Sequence, residues 1–243
     1  MKLIFSLASL LFSVILFAQN NRQSDFNNIN WVQAFVTKKI SPKTDWLIEY
    51  QWRRTNGLTD WQQGLFRTAV QYKPNSNFTL AIGYAQAEIF SYGDFPIAAN
   101  GSFPEHRIFE QAIIKQNINK FSISNRFRIE QRWLGKVEAG TNREIESWTF
   151  LHRFRYLLKV QYPFNKKMYA WLGNEIFIGA GKNLGVNIFD QNRIHASIGY
   201  KINNHVNIEL GYINQVLQQG RVVNSKTILQ RNNGLTLASA INF

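Results

Sequence analysis

Residues 121–133 read FSISNRFRIEQRW, and the character of the side chain changes at almost every step. The odd-numbered positions hold Phe, Ile, Asn, Phe, Ile, Gln and Trp, whereas the even-numbered positions hold Ser, Ser, Arg, Arg, Glu and Arg. Successive side chains of a β-strand point to opposite faces, so this segment as a strand has one mostly apolar face and one charged face. A helix, with 3.6 residues per turn, would mix the two sets. The segment therefore predicts a strand between an apolar and a charged environment.

The same alternation recurs along the chain from about Asn30 to Phe243. It is clear in residues 45–54, 64–73, 148–161, 189–201 and 206–215, and less regular in residues 31–39, 77–90, 106–117 and 168–180. Glu110 breaks the alternation of its segment, which we interpret as a β-bulge. Hydrophobic residues make up 45% of the chain, yet the mean hydropathy is −0.26, as expected when apolar and polar residues interleave. The predicted fold class is an all-β, transmembrane, antiparallel up-and-down β-barrel.

The connections between these segments predict the number of strands. Short connections lie near residues 41–43, 74–76, 117–119, 163–165 and 203–204, and longer polar ones span roughly residues 55–62, 91–104, 134–147, 181–188 and 218–226. Outer-membrane barrels show this asymmetry, with short periplasmic turns and longer outer loops. The segments number eleven, whereas a barrel with both termini in the periplasm has an even number. We therefore predict about twelve strands, with residues 20–28 as a poorly patterned first strand, and ten strands as the fallback.

The N-terminus carries the features of an export signal. Lys2 is followed by an apolar stretch over residues 3–17, and Ala18 is a plausible last residue before cleavage. Polar sequence begins directly after it, and no later run of about 20 apolar residues predicts a membrane-spanning helix. We predict a signal peptide over residues 1–18 and a barrel domain over residues 19–243.

The C-terminal segment alternates in the same way and ends on an aromatic residue. The predicted insertion signal consists of Leu235, Leu237, Ile241 and Phe243. An apolar edge strand with a terminal aromatic residue is what the barrel-insertion machinery would read by strand addition. We therefore expect the bacterial outer membrane as the location, with this machinery and outer-membrane lipids as partners, and a monomer as the oligomeric state.

The formal net charge is +13, and the chain contains no cysteine. A basic protein often binds nucleic acid, but an exported protein rarely meets it, so we expect no nucleic-acid partner. An anionic membrane surface or an arginine-rich lumen explains the charge better. The absence of cysteine excludes disulfides, a cysteine-ligated zinc site and a cysteine nucleophile.

The charged faces of the strands predict a lumen charge network. Its predicted members are Glu49, Arg53, Arg67, Arg126, Arg128, Glu130, Arg132, Arg153, Arg155, Glu175, Arg193 and Glu209. Lys159 shares this face. A buried guanidinium without a partner is very costly, so we expect bidentate Arg–Glu pairs between neighbouring strands. The favoured function is a structural or narrow barrel filled by this network, and the alternative is an anion-preferring channel for small solutes, since cations outnumber anions.

Five tryptophans lie near the ends of predicted strands. They are Trp46, Trp52, Trp133, Trp148 and Trp171. Outer-membrane barrels place aromatic girdles at the two membrane interfaces. We interpret these residues as part of such a girdle.

Enzymatic function is less favoured by the sequence, and no catalytic residue is assigned. His152 falls on the apolar face of its segment, where an outer-membrane lipid-modifying hydrolase would act, but the nearest serine, Ser147, forms no recognisable pair with it. No motif or ligand spacing indicates a cofactor or a metal. A further alternative is a secreted soluble β-barrel that binds an apolar ligand, with the apolar faces turned inward.

Several short motifs resemble a known bacterial family. They are Pro104-Glu105-His106-Arg107, the run from Arg126 to Arg132 (RFRIEQR), Asn174-Glu175, and Gln191-Asn192-Arg193 followed by Gly199-Tyr200. The chain resembles the domain of unknown function 2490 family, which consists of predicted outer-membrane barrel proteins common in Bacteroidetes-type bacteria. The resemblance covers most of the mature chain, and the Arg-x-Arg-x-Glu-x-Arg run is its most specific part. It implies the fold and the compartment, and it brings no established activity or catalytic residue.

Overall fold

The computed structural model describes residues 21–97, 101–138 and 144–243, and the predicted signal peptide lies outside the described residues. Eleven β-strands of these residues close into one barrel. They are β1 (Arg22–Ser41), β2 (Thr44–Thr55), β3 (Asp60–Asn75), β4 (Phe78–Phe90), β5 (Ser102–Ile118), β6 (Phe121–Val137), β7 (Ile145–Pro163), β8 (Met168–Ala180), β9 (Phe189–Lys201), β10 (Val206–Val223) and β11 (Lys226–Asn242). None of the described residues forms a helix that is long and apolar enough to cross a membrane.

The two faces of each strand meet different surroundings. In β6, Arg128 and Glu130 are 4% and 1% exposed, whereas Phe127 and Ile129 are 48% and 41% exposed. Because neighbouring strands are in register, the charged faces together line the interior and the apolar faces together form the outer surface. The predicted all-β barrel, with its polar interior and apolar exterior, is confirmed.

The barrel closes through a parallel pair of strands. Each strand pairs in antiparallel fashion with its sequence neighbours, but β1 pairs with β11 in parallel from Arg22↔Thr227 to Thr37↔Asn242. The predicted number of about twelve strands is close to the eleven observed. Residues 22–28 are not a separate strand, because they form the first part of the 20-residue strand β1. An odd number closes by parallel pairing, which places Arg22 and Phe243 at opposite ends of the barrel.

The connections between strands differ in part from the predicted alternation of short and long segments. The five predicted short connections all lie at the end of the barrel that carries Phe243. At the other end, the connections of residues 91–101, 138–144 and 181–188 are long, whereas β2 and β3 are joined by residues 56–59 and residues 218–226 are mostly strand. Asn224 and Ser225 have positive φ angles of 49° and 61°, which suit a two-residue hairpin whose twist matches its strands. Polarity alone does not distinguish such an extended hairpin from a loop.

The structure corrects the predictions for two residues, Glu110 and Trp171. Glu110 was interpreted as a bulge, but β5 keeps an unbroken register with both β4 and β6. Its side chain is exposed on the outer face, where it accepts a hydrogen bond of 3.1 Å from Gln131 Nε2. Trp171 belongs to no girdle, because it lines the lumen. Trp46 and Trp148, by contrast, are 46% and 44% exposed.

The parallel seam predicts a specific crosslink. Val32 and Leu237 are register partners with exposed side chains, and strand partners have the Cα separation that a disulfide needs. In this cysteine-free chain, the pair Val32→Cys and Leu237→Cys should crosslink under mild oxidation, as measured by mobility on non-reducing gels. The pair Val32→Cys and Ile241→Cys is the control, because its partners are offset by about 13 Å along the strand. Crosslinking of the control pair alone would contradict the parallel register.

Candidate functional site: the charged lumen

The barrel encloses a cavity that touches every strand. Its volume is about 920 Å³, and side chains of all eleven strands line it. Eleven Lys and Arg residues contribute to the lining against five Asp and Glu residues. The cavity is therefore a positively charged space, and its character depends on which of these charges are neutralised within the wall.

Glu130 lies at the centre of the paired charges. One carboxylate oxygen accepts hydrogen bonds from Arg153 Nε and Nη2 at 2.7 and 2.5 Å, and the other accepts one from Arg155 Nη1 at 2.6 Å. Arg153 Nη1 donates on to Asp190 at 2.8 Å, and Arg155 donates on to Glu175 at 2.9 and 2.7 Å. All five side chains are buried. Charge-assisted bonds of this kind satisfy both members without water.

Further pairs extend the arrangement on both sides. Glu175 also accepts a hydrogen bond from Arg126 Nη2 at 2.6 Å. Glu105 accepts two from Arg107 at 2.7 Å each and one from Arg132 at 2.5 Å. We call these side chains of β5 to β9 the ion-pair cluster: Glu105, Arg107, Arg126, Glu130, Arg132, Arg153, Arg155, Glu175 and Asp190. Five guanidiniums meet four carboxylates within it, so it is close to neutral.

Two more predicted arginines have acceptors outside the ion-pair cluster. Arg67 Nη1 donates to Glu49 at 2.5 Å. Arg128 donates twice to the side-chain oxygen of Gln111, at 2.9 and 2.5 Å, and its Nη1 lies 3.7 Å from Glu130 without a hydrogen bond. These contacts continue the paired wall from β6 toward β2.

Arg53 and Arg193 are bound differently. Arg53 donates to the side-chain oxygen of Gln51 at 2.8 and 2.5 Å, and Arg193 donates to that of Gln191 at 3.0 Å. Within the part of the chain that the structure describes, no carboxylate lies within 4.0 Å of either guanidinium. Their hydrogen-bond partners are neutral, so each guanidinium lies beside a carboxylate-bearing wall, with Glu175 as the register partner of Arg193, but forms no direct ion pair with it.

Lysines and Glu209 occupy the part of the lumen nearer the short turns. Lys159 Nζ lies 4.1 Å from the centre of the Trp171 ring. Glu209 accepts hydrogen bonds from the Tyr169 hydroxyl at 2.8 Å and from Trp171 Nε1 at 2.9 Å. Neither Lys159 nor Lys115 forms an ion pair with another described residue. This end of the cavity also carries uncompensated positive charge.

The twelve residues of the predicted network all lie on the interior face, but the structure does not bring all of them together. Nine take part in Arg–carboxylate pairs, and Arg53, Arg193 and Glu209 do not. The sequence reasoning missed Glu105 and Arg107, whose parity was obscured by the bulge expected at Glu110. It also missed Asp190, Tyr92 and Asp25.

Asp190 escaped detection because it sits in a bulge. Phe177 pairs with Gln191, and the next residue of β8, Ile178, pairs with Phe189, so Asp190 is the extra residue of β9. A bulge turns a side chain away from the face that strict alternation assigns to it. Periodicity alone cannot find such a residue, although an acidic side chain beside an amide at a strand start is a weak signal.

The connection after β4 folds into the mouth of the barrel rather than away from it. The Tyr92 hydroxyl donates to Gln230 Oε1 and accepts from Asn232 Nδ2, both at 3.0 Å. The Asp25 carboxylate accepts two backbone N–H groups of residues 91–97 at 3.4 Å each. These contacts attach the segment to β1 and β11 and narrow the opening opposite the short turns. We expected this connection to be a loop exposed at the surface.

The histidines do not form a catalytic arrangement. His152 lies on the outer face of β7, with its ring 4.8 Å from that of Phe150. His195 lies in the lumen, with its ring 5.8 Å from that of Trp171 and 6.4 Å from that of Trp31. Among the described residues, no group of three His, Asp or Glu side chains is placed to hold a metal ion. The arrangement that invites a chemical interpretation is the charged lumen.

The ion-pair cluster predicts a strong dependence of stability on Glu130. Glu130→Gln removes the charge that compensates two buried guanidiniums, and breaking a buried pair costs about 3–5 kcal/mol. We expect the free energy of unfolding, measured by urea titration of the folded barrel, to fall by this amount. Glu146→Gln is the matched control. Its partner Lys136 is 64% exposed, so we expect a loss of no more than about 1 kcal/mol. Equal losses in the two variants would contradict a structural role of the cluster.

The fold has a counterpart among solved structures. A structure described as "NanC porin structure in rhombohedral crystal form" matches with a TM-score of 0.51 at 10% sequence identity, and the match covers 88% of this chain and 98% of the porin chain. At this identity the likeness concerns the fold alone. No curated protein matches the sequence.

The sequence also matches a family profile over most of its length. Residues 28–225 match the family described as "Protein of unknown function (DUF2490)". The matched range runs from β1 to the end of β10 and includes every residue of the ion-pair cluster. The resemblance found in the sequence motifs is confirmed: the chain belongs to the DUF2490 family.

Proposed function

We propose that this protein is a bacterial outer-membrane barrel whose lumen forms a narrow, anion-preferring passage for small solutes. The outer surface supports the membrane location. Ile82, Leu172, Ile198, Leu210 and Leu235 lie on five different strands and are each 56–60% exposed. Such a surface would promote association in water, whereas lipid would solvate it favourably. A soluble barrel with an apolar ligand inside is disfavoured, because the apolar faces point outward.

The C-terminal strand supports insertion by the barrel-insertion machinery. Leu235 and Leu237 are 58% and 45% exposed on the outer face, and Phe243 is 64% exposed. In the closed barrel, Phe243 N–H donates to the Thr37 carbonyl at 2.9 Å, so the edge of β11 is already occupied by β1. Recognition of Leu235, Leu237, Ile241 and Phe243 would therefore precede the closure of the β1–β11 seam.

One observation carries the proposed passage: cations outnumber carboxylates in the cavity lining, and several of them form no direct ion pair. Arg53, Arg193, Lys115 and Lys159 line the cavity and have no ion pair within the described chain. Water-filled pores with uncompensated basic side chains favour anions over cations. A cavity of about 920 Å³ has room for a small solute.

A lumen filled by charged side chains and an open passage are compatible, because they concern different parts of the lumen. The ion-pair cluster occupies β5 to β9 and forms a rigid, nearly neutral wall. A barrel of eleven strands has more interior space than one of eight, which side chains just fill. The remaining space is the cavity beside that wall, so a filled half and an open half coexist.

The membrane location predicts a distinct biochemical behaviour. We expect the protein to stay in the membrane fraction in plain buffer and to require detergent for extraction, because its outer surface is apolar. We also expect folded protein to migrate differently on gels before and after heating. Extraction into plain buffer would contradict the proposed location, whatever the lumen does.

The passage predicts ion selectivity in planar bilayers. Under a KCl gradient, the reversal potential should show a preference for chloride over potassium. Lys115→Gln with Lys159→Gln should lower the permeability ratio by up to about fivefold, since a unit charge at 4 Å in water is worth about 1 kcal/mol. Lys166→Gln with Lys167→Gln removes the same charge from the exposed turn between β7 and β8 and should leave the ratio unchanged. Correctly folded protein without ion flow would refute the passage.

A further inference from the structure

We propose that Arg53, Arg193 and Trp31 form a discrete binding site inside the lumen for one carboxylate or phosphate group of a small solute. The inference rests on the proposed function, because the site lies in the passage through which anions would move. It adds a position and a chemical class to that function. The three side chains come from β2, β9 and β1.

Arg53 is held in place by amides. Its Nε and Nη2 donate to Gln51 Oε1, and its Nη1 donates to Gln63 Oε1. Gln51 in turn donates to Glu49, the nearest acidic residue of the same strand. That carboxylate is already engaged by Arg67 at 2.5 Å. The guanidinium is therefore fixed in direction while its charge stays uncompensated.

Arg193 is held in the same manner from another strand. Its Nε donates to Gln191 Oε1 at 3.0 Å, and the side-chain amide of Gln215 lies 3.2 Å from its Nε and Nη2. The guanidinium carbon lies 4.6 Å from the centre of the Phe177 ring. Arg193 is only 8% exposed and Arg53 only 6%, so both charges lie in a partly desolvated setting where electrostatic attraction is stronger than in water.

Trp31 brings the two guanidiniums to one place. Their carbons lie 3.9 Å (Arg53) and 5.0 Å (Arg193) from the centre of its ring, so they are separated by at most 8.9 Å. The indole is fixed by a hydrogen bond of 2.7 Å from Nε1 to Gln62 Oε1. Cation–π contact lowers the cost of holding two like charges this close, but it does not neutralise them. An anion bound near Arg53 and Arg193 would neutralise them.

The contrast with the ion-pair cluster argues against a purely structural role. Each guanidinium of that cluster has a carboxylate within 2.8 Å. Arg53 and Arg193 are as buried as those residues, yet they have amide partners only. A buried guanidinium without a counter-charge is costly, and an exchangeable anion removes that cost.

The chemistry of the site selects the class of ligand. The planar guanidinium matches the paired oxygens of a carboxylate or a phosphate and binds them through two parallel hydrogen bonds. A spherical halide offers no such match. The two guanidiniums lie within 8.9 Å of each other, so both attract an anionic group that enters this part of the lumen. The site is therefore expected to bind acetate or inorganic phosphate more tightly than chloride.

Binding is tested on the purified, folded, full-length protein in detergent. Isothermal titration with sodium acetate, inorganic phosphate and sodium chloride measures affinity without requiring ion flow. We expect saturable binding of acetate or phosphate by the wild-type protein. In the double variant Arg53→Gln with Arg193→Gln, the affinity should fall at least about tenfold, because losing one charge-assisted hydrogen bond has about this effect. Which of the two anions binds more tightly distinguishes a carboxylate solute from a phosphate solute. The control Lys166→Gln with Lys167→Gln should bind as the wild type does.

A second measurement needs no variant and covers the case in which the double variant fails to fold. Phenylglyoxal modifies accessible arginines, and bound phosphate should protect Arg53 and Arg193 in the wild-type protein, as mapped by mass spectrometry. Protection of ion-paired Arg153 should not change. Absence of saturable binding, equal binding by the Gln variant, or no specific protection would overturn the site even if the barrel conducts anions. Binding without conductance would refute the passage and leave the site standing.

Discussion

A buried guanidinium has to find a partner, and the architecture of this lumen depends on how that need is met. The alternation of the strands places arginines in the interior, where their charge is expensive without compensation. The ion-pair cluster meets the need by placing carboxylates on neighbouring strands, with Glu130 between Arg153 and Arg155. These bonds cross from strand to strand, so they also fix the register of β6 against β7 and β8. The alignment of these strands and the neutralisation of the interior are thus achieved by the same contacts.

The partners of the buried guanidiniums differ from one part of the lumen to another, and this difference determines where the lumen carries positive charge. Within the ion-pair cluster, four carboxylates contact five guanidiniums and leave the wall close to neutral. Near Trp31, glutamine oxygens occupy the equivalent positions, so Arg53 and Arg193 keep their charge. An amide fixes the direction of a guanidinium as well as a carboxylate does, but it leaves the charge available to a third group. The presence of Gln in place of Glu at this side separates a wall of paired charges from the site that we propose binds an anion.

Most of the fold could be predicted from the alternation of residues, and the errors have physical causes. Segment 121–133 was assigned correctly because every interior position of it is polar. The estimate of about twelve strands exceeds the observed eleven by one because an even number presumes antiparallel closure, which β1 and β11 do not follow. Pairing within the network required knowledge of which strands face each other, and Asp190 lies in a bulge that has no periodic signature. The inward fold of residues 91–97 depends on side chains of β1 and β11 that are distant in sequence.

The C-terminal strand β11 carries apolar residues on the outer face of the barrel and small residues on the inner face. Its outward residues, among them Leu235 and Leu237, are the apolar series that would be read during insertion. Its inward residues Thr236, Ala238 and Ala240 are small, and all three line the cavity. The small side chains beside the seam occupy less of the lumen than the long arginines of β5 to β9 do. The cavity therefore extends to the strand that closes the barrel. A requirement for small inward residues in β11 follows from the passage and is independent of the apolar series on its outer face.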